Sequence, residues 1–385
     1  MYKKQGREMP SKLHFLTYIV LLLLVFKATK ATSLADSCRS NTLEITWRTP
    51  SSPPIIMDTS AAVHRRTLDN LIDSDPILCY RQSIADAKED AWKFLRDNIM
   101  EFDKVKMETL GFGTVPEPDG LGQGMIGPTI DLAFQSKIDY PWTDILPQTV
   151  FYEYVLNYAN VNEARSNWRP LLWDVLTPMI HNKMNATANS LQLNDVVHLV
   201  NQKLWNAFAG HESIYFHSGQ TPLIFDPMSV LVFGYASCTG LAILLVSALR
   251  TAGVPARVVG TPAWNGQPDQ GNHNWVEVYA PTPMKSRSLD GDPYRSNSAW
   301  SDWVFFEPSA NQTQVDDLTT TACSKWFCAP GRFQPSSPNN ATHVFAARLV
   351  FDEDRLYYPM PWERASQDVP GENRTEHYHR VCSQC

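Results

Sequence analysis

The stretch GYASCTGLAILLVSALRTAGVPARVVGTPAW, Gly234–Trp264, decides how the chain reads. Cys238 follows small residues and stands directly before a long apolar run. "TGLAILLVSALRTAG" predicts a helix that ends at Gly253. "PARVVG" follows, short and rich in β-branched residues, and predicts a strand. Two more such runs come later, "HNWVEVYA" from His273 and "WVFFEPS" from Trp303. One helix followed by short, closely spaced strands predicts an α+β unit with an antiparallel sheet.

A cysteine placed there is open to three readings: a disulfide half, a buried core thiol, or a nucleophile. Unpaired N–H groups and the dipole at a helix N-terminus favour the thiolate, and Thr239 and Gly240 keep the surroundings of the sulfur small. A thiol nucleophile also needs a base, and the base needs a third group to fix its tautomer and orientation. His273 opens its strand and shares a face with Trp275, Glu277 and Tyr279. On the next strand Trp303, Phe305 and Glu307 share a face, and Glu307, an ionisable residue ending an aromatic run before Pro308, is the candidate orienter. Asp302 is the alternative, and His217, His343 and Asp269 are further polar residues near these elements. Tyr235 and Ser237 flank the cysteine, and Trp264 and Trp275 are candidates for a cleft wall or for core packing.

In order and spacing, the segment from about Val230 to Ser309 resembles the transglutaminase-like superfamily, which is related to the papain-like cysteine protease fold. The residues that carry the resemblance are Ser237-Cys238-x-Gly240 before a helix, Gly253-Val254-Pro255-Ala256-Arg257, His273-x-Trp275-Val276-Glu277-Val278, and the Trp303–Pro308 strand. The flanking runs "VFYEYVLNYANVNEARSNWRPLL" and "KWFCAPGRF" look like those of secreted transglutaminase-like proteins of bacterial type. The resemblance implies a nucleophile at Cys238, its base at His273 and an acidic or amide residue third. The family commonly has Asp where Glu307 stands; Glu is one methylene longer and can still accept the imidazole N–H. Arg257 is implied to be structural, pairing a carboxylate near the core. The implied activity is attack on amide bonds through a thioester, ending in transamidation or hydrolysis of a protein or peptide substrate. A non-catalytic peptide- or polymer-binding module on the same fold is the alternative. Neither a calcium-site signature with flanking β-sandwich domains nor a Cys-x-x-Cys zinc arrangement before the nucleophile is present. "DGD" around Asp290 lacks downstream ligands, so no metal or cofactor is expected.

The chain has 385 residues, 43% hydrophobic and 19% charged, enough for a sizeable core. At its start Lys3, Lys4, Arg7 and Lys12 precede the apolar run from Leu13 to Phe26, and small residues follow. That is the layout of a secretory signal peptide cut after Ala35; the run is short for a membrane span, and an uncleaved anchor is the one route to a membrane. Asn-x-Ser/Thr sequons at Asn185, Asn311, Asn340 and Asn373 fit a glycosylated, secreted or lumenal protein. Seven cysteines are an odd number for an oxidising compartment. With Cys238 set aside, six remain for three disulfides, and short loops favour Cys323 with Cys328, Cys382 with Cys385, and Cys38 with Cys79. A zinc site from the last four is the competitor. The formal net charge is −7, and losing residues 1–35 makes the chain more acidic, which argues against nucleic acid as a partner. Nothing in the composition speaks to oligomeric state.

Upstream, residues 36–75 are polar and irregular. A helix is expected from Ser83 towards Gly111, then a long Gly/Pro-rich loop, then aromatic-rich helical segments, and a helix in "NDVVHLVNQKLWNAF" capped by Asn194. The expected organisation is a signal peptide over 1–35, a mostly helical region over 36–190, the transglutaminase-like core over 191–350 and a C-terminal tail with a cysteine pair over 351–385. The His-rich "EHYHR" is expected to be a solvated terminus, and Asp316/Asp317 a loop face.

Overall fold

In a computed structural model of the protein, the described residues are 76–113, 124–187, 191–208, 213–219, 221–280, 302–333, 341–360 and 362–385. The expectations for the signal peptide, for residues 36–75, for the Cys38–Cys79 pair, for the sequon at Asn340 and for the loop at 281–301 lie outside them. All that follows concerns the unit formed by residues 84–385.

The first half is helical. Helix α1 (Pro76–Asp97) leads, and a turn of helix at Met107–Leu110 closes on Gly111, whose φ of 102° is one that glycine adopts without strain. Helices α2 (Ile126–Asp139), α3 (Gln148–Tyr154) and α4 (Trp168–Ala186) follow. The Gly/Pro-rich stretch expected as loop thus gives way to helix at Ile126, because Ile126, Ile130 and Ala133 bury at helical spacing. In α5 (Leu193–Lys203) the cap is Gln192 rather than Asn194: Gln192 and Asp195 form a reciprocal capping box. The Asn194 side chain instead accepts from the Leu318 N–H at 3.0 Å.

Helix α6 (Pro227–Phe233) leads into α7 (Cys238–Thr251). From Thr239 onward α7 is buried on every face, with Ile243, Leu244, Leu245 and Leu249 fully enclosed. Each such side chain contributes about 2 kcal/mol of transfer free energy. It lies between α2, α4, α5 and α6 and the sheet, in contact with β1 (Ala256–Thr261) and β2 (His273–Tyr279). The sheet is antiparallel throughout, as expected, and runs β3-β2-β1-β4-β5, with β3 Trp303–Phe306, β4 Phe345–Ala347 and β5 Gly371–Asn373. The register pairs Arg257 with Glu277 and Glu277 with Phe305, so alternate residues of β1, β2 and β3 share a face as the sequence implied.

The last residues are part of this structure rather than a solvated end. β5 extends the sheet, and α8 (Thr375–Cys382) buries His377 and Tyr378. Tyr378, Trp275, Phe305, Phe327 and Phe333 form a second core on the sheet face opposite α7. "EHYHR" misleads because its polar letters carry a helical stripe of Tyr378, Val381 and Cys382.

The disulfides are Cys323–Cys385 and Cys328–Cys382, with Cα separations of 5.2 and 4.9 Å, so the short-loop pairing is corrected. Between Cys323 and Cys328, Lys325 and Phe327 turn inward, and both cysteines are left facing the end of α8. The bridges close segments 62 and 54 residues apart in sequence, where a cross-link restricts the unfolded chain far more than one over five residues. Among the described residues no helix is long and apolar enough to cross a membrane.

Candidate active site

Ser237 stands in extended conformation ahead of α7, and Cys238 is the first residue of the helix. Gly240 lets this helix start sit tightly in the fold: a Cβ there would lie 2.5 Å from the Ile224 carbonyl oxygen and 2.7 Å from the Ala236 Cβ. Among the described residues Cys238 is the free cysteine, and it is partly buried.

Strand β2 runs antiparallel beside β1 and begins with His273, which lines the same cleft as Cys238 and acts on its thiol. The ring nitrogen Nε2 meets Glu307 Oε1 at 2.6 Å, which leaves Nδ1 for the sulfur. Cys238, His273 and Glu307 are thus brought together in the order thiol, imidazole, carboxylate. Asp302 is not part of this group; it lies at the far end of β3, where its carbonyl accepts from the Ala280 N–H. His217, His343 and Asp269 do not line the cleft that holds the three residues.

The surroundings set the charge. Burial works against a charge on the Cys238 sulfur, but the His273 ring, the Asn274 backbone N–H and the Thr239 hydroxyl outweigh it, so the thiol is held below its ordinary pKa. Burial likewise works against the imidazolium, yet hydrogen bonds to Cys238 and Glu307 and the charges of both raise His273 to about 9. Both directions favour the charged forms, a thiolate on Cys238 and an imidazolium on His273. Aromatic rings box the imidazole: Trp326 at 5.0 Å between centroids, Phe327 at 5.5 Å, Trp275 at 5.6 Å and Trp264 at 6.4 Å. Such rings exclude water and favour a cation among them.

Glu307 lies just past β3 and is fixed through its backbone. Its N–H donates to Asp316 Oδ2 at 2.9 Å, and its carbonyl accepts from Asn201 Nδ2 at 2.9 Å. Asn201, fully buried on α5, also bonds the Ser309 hydroxyl and N–H and the Asp316 carbonyl, while buried Lys325 pairs with the second Asp316 oxygen. Asp316 is therefore a support of the site, not a loop face, and Asp317 pairs with His198. Neither Asn201 nor Asp316 carries a sequence signal, since their partners lie 106 and 9 residues away.

The remaining candidates divide. Ser237 lines the cleft, and its hydroxyl is buried without a protein partner. Tyr235 is buried and donates to the Pro222 carbonyl. Trp264 and Trp275 are core residues beneath the site: Trp264 packs under Trp326, and Trp275 donates to Tyr378 Oη at 2.7 Å. Arg257 is enclosed and ion-paired with Glu277 at 2.7 Å and Glu372 at 2.6 Å.

The cleft has a volume of ≈ 810 Å³. Apart from Cys238, His273 and Glu307, its lining carries no ionisable side chain. Four large apolar side chains rim it in the open: Leu223 (59% exposed), Trp326 (58%), Phe216 (53%) and Trp362 (43%), the last stacked on Phe225 at 4.4 Å. Leu223, Trp326, Phe216 and Trp362 are separated along the chain, so no local pattern in the sequence groups them. Of the sequons, Asn185, Asn311 and Asn373 are solvent-exposed.

The family model described as the Transglutaminase-like superfamily matches residues 186–308, a span that holds Cys238, His273 and Glu307. A crystal structure of red sea bream transglutaminase is similar at 13% identity, with 61% of this chain and 45% of that chain covered and a TM-score of 0.34. The chain therefore spans less than half the length of that structure. No curated protein sequence matches. Residues 186–308, with the mixed helix-and-strand fold around Cys238, match the transglutaminase-like superfamily.

Proposed function

We propose that the protein is a thiol enzyme of the secretory route that acts on amide bonds through Cys238, His273 and Glu307. What supports this reading is the His273 ring, which lines one cleft with Cys238 and holds the Glu307 carboxylate through Nε2 at 2.6 Å. The Cys238 thiolate attacks the amide carbonyl carbon, and the electron pair of the C=O bond moves to oxygen. The amides that begin α7, which have no intrahelical partners, stabilise that oxyanion. The imidazolium gives its proton to the nitrogen of the leaving amine as the C–N bond breaks, which leaves a thioester on Cys238. The now neutral His273 takes a proton from the incoming amine or water, which displaces the sulfur and restores the pair. Two disulfides together with a free, partly buried Cys238 suit an oxidising compartment.

The test is a screen of glutamine-containing peptides with and without an added primary amine, comparing the wild type with Cys238→Ala. Amine incorporation or release of ammonia by the wild type alone supports the reading. Product formed equally by Cys238→Ala, or by neither protein, removes it and leaves a peptide-binding module on this fold.

The lining of the cleft adds a preference. Peptides with aromatic or aliphatic residues beside the reacting glutamine are expected to be used about tenfold better, in kcat/KM, than peptides with Asp or Lys there. Trp326→Ala should narrow that gap. An equal rate for both peptide sets would show that the exposed rings do not touch the substrate.

The pH profile has an expected alkaline limb. His273 can donate only while protonated, so turnover falls as pH rises through about 9. Glu307 is among the groups that raise His273, so Glu307→Gln should move that limb to lower pH by about one unit. A limb that stays in place in Glu307→Gln would mean that the carboxylate does not act on the imidazole.

A further inference from the structure

Next to Cys238 and His273 lies a set of buried polar groups that the steps above do not use. Asn274 follows His273 on β2 and is 1% exposed, Thr239 follows Cys238 and is 4% exposed, and Tyr358, from a distant part of the chain, is 2% exposed. Tyr358 Oη donates to Asn274 Oδ1. Asn274 Nδ2 donates to Thr239 Oγ1 at 2.7 Å. The Thr239 hydroxyl and the Asn274 backbone N–H both act on the neighbouring Cys238 sulfur and hold its pKa down.

The direction of this chain follows from what each group can do. The amide oxygen of Asn274 can only accept, so Tyr358 must donate to it. The amide nitrogen can only donate, so Thr239 Oγ1 accepts from it, and the one hydroxyl hydrogen of Thr239 is left for the sulfur. Every proton in the series therefore points towards Cys238. Successive bonds polarise one another in a buried setting, and a hydrogen bond to an ionised acceptor is stronger than a neutral one. Tyr358 cannot lose its proton and reverse the chain: burial first, then the nearby Cys238 charge, hold its pKa far above the ordinary value.

The backbone makes room for this arrangement at one position. Gly260 of β1 pairs with Asn274 in the register, and a Cβ on it would lie 2.2 Å from Asn274 Oδ1 and 2.5 Å from the His273 carbonyl oxygen. Only glycine lets the Asn274 amide lie flat across β1, where Tyr358 and Thr239 reach it from either end.

We propose that Tyr358, Asn274 and Thr239 form a one-directional hydrogen-bond chain that ends on the Cys238 sulfur and holds it as the nucleophile, with Thr239 touching the reacting atom and Asn274 and Tyr358 as positioning residues. This rests on Cys238 being the nucleophile, but it is a separate claim, because the imidazole could activate the thiol without it. It also implies a division of roles: His273 moves the proton, and the chain fixes the sulfur's position and stabilises its charge as attacking thiolate in the first half of the reaction and as departing thiolate in the second.

The test is the rate of iodoacetamide alkylation at Cys238 against pH, followed by peptide mass spectrometry, in the full-length protein with its disulfides intact. Thr239→Val keeps the shape and removes the hydroxyl; Thr239→Ser restores the hydroxyl and drops only the methyl. The expected result is that Thr239→Val shifts the alkylation midpoint up by about one pH unit and Thr239→Ser returns it to the wild-type position. Tyr358→Phe, which removes one oxygen at the remote end, should shift it the same way by less. Asn274→Asp should shift it most, since the new carboxylate draws the Thr239 proton away from the sulfur and adds a negative charge beside it. A thermal melt of each variant separates loss of fold from loss of the chain, and the Val/Ser pair keeps the comparison sound where Asn274→Asp does not fold. Wild-type midpoint below that of a free thiol, with Thr239→Val and Thr239→Ser both unmoved, would overturn the chain and leave the His273 pair standing. A wild-type midpoint at the free-thiol value would overturn both.

Discussion

His273→Ala is expected to lower amide turnover by about 10⁴-fold, because it removes both the group that stabilises the thiolate and the acid that protonates the leaving amine. The fold should survive: His273 opens β2, and its ring faces the cleft, while the strand is held by Trp275, Val276 and Val278, all fully enclosed. Cys238→Ala should cost at least as much. The double variant should be no worse than either single one, since groups that work as a unit do not add. The measurement is kcat/KM for each variant on one peptide and amine pair. Near-wild-type turnover by His273→Ala, with Cys238 still required, would mean that another base serves the thiol.

The second large effect concerns stability. Arg257→Met should destabilise the protein by about 3–5 kcal/mol. The Arg257 guanidinium is enclosed, bonds Glu277 Oε2 through Nε at 2.9 Å, pairs with Glu372, and lies 3.9 Å above the Trp303 ring. Without it Glu277, itself fully buried, keeps Arg374 at 3.2 Å and the Tyr378 hydroxyl at 3.0 Å but loses its nearest counter-charge. Arg257→Met with Glu277→Gln should recover part of the loss, because the stranded charge is gone. Burial opposes the Glu277 carboxylate, yet Arg374 and Arg257 lower its pKa to about 2. A carboxylate lowered on folding stabilises the native state fully above its unfolded pKa near 4.5, and that share disappears as pH falls towards 2. Urea unfolding at pH 7 and at pH 3 should therefore show the gap between wild type and the double variant closing in acid. An Arg257→Met protein as stable as wild type at pH 7 would remove this network from the list of what holds the sheet together.

What could be read in the sequence follows from the range of the interactions involved. Cys238 at the head of an apolar helix and the alternation in "HNWVEVY" and "WVFFEP" are local patterns, and they pointed to α7, β1, β2 and β3 and to the three residues that meet in the cleft. The supports of that cleft are not local. Asn201 reaches Glu307 across 106 residues, and Tyr358 reaches Asn274 across 84. Nothing near Asn201 or Tyr358 distinguishes it from an ordinary helix or loop residue. Short-range reasoning also failed for the disulfides, where the nearest cysteines in sequence are not the nearest in space because Phe327 turns into the second core between them. Gly260 did carry a signal: a glycine ending "PARVVG" inside a strand marks a close approach, and the partner it admits is the Asn274 side chain.

The most direct measurement is the intact mass of the protein quenched in acid during turnover of a glutamine-containing peptide. Wild-type protein should carry one adduct, equal to the peptide less ammonia, mapped to Cys238 and discharged when a primary amine is added before the quench. Product formation with the adduct on another residue, or undiminished turnover by Cys238→Ala, would contradict the assignment of Cys238 as the nucleophile.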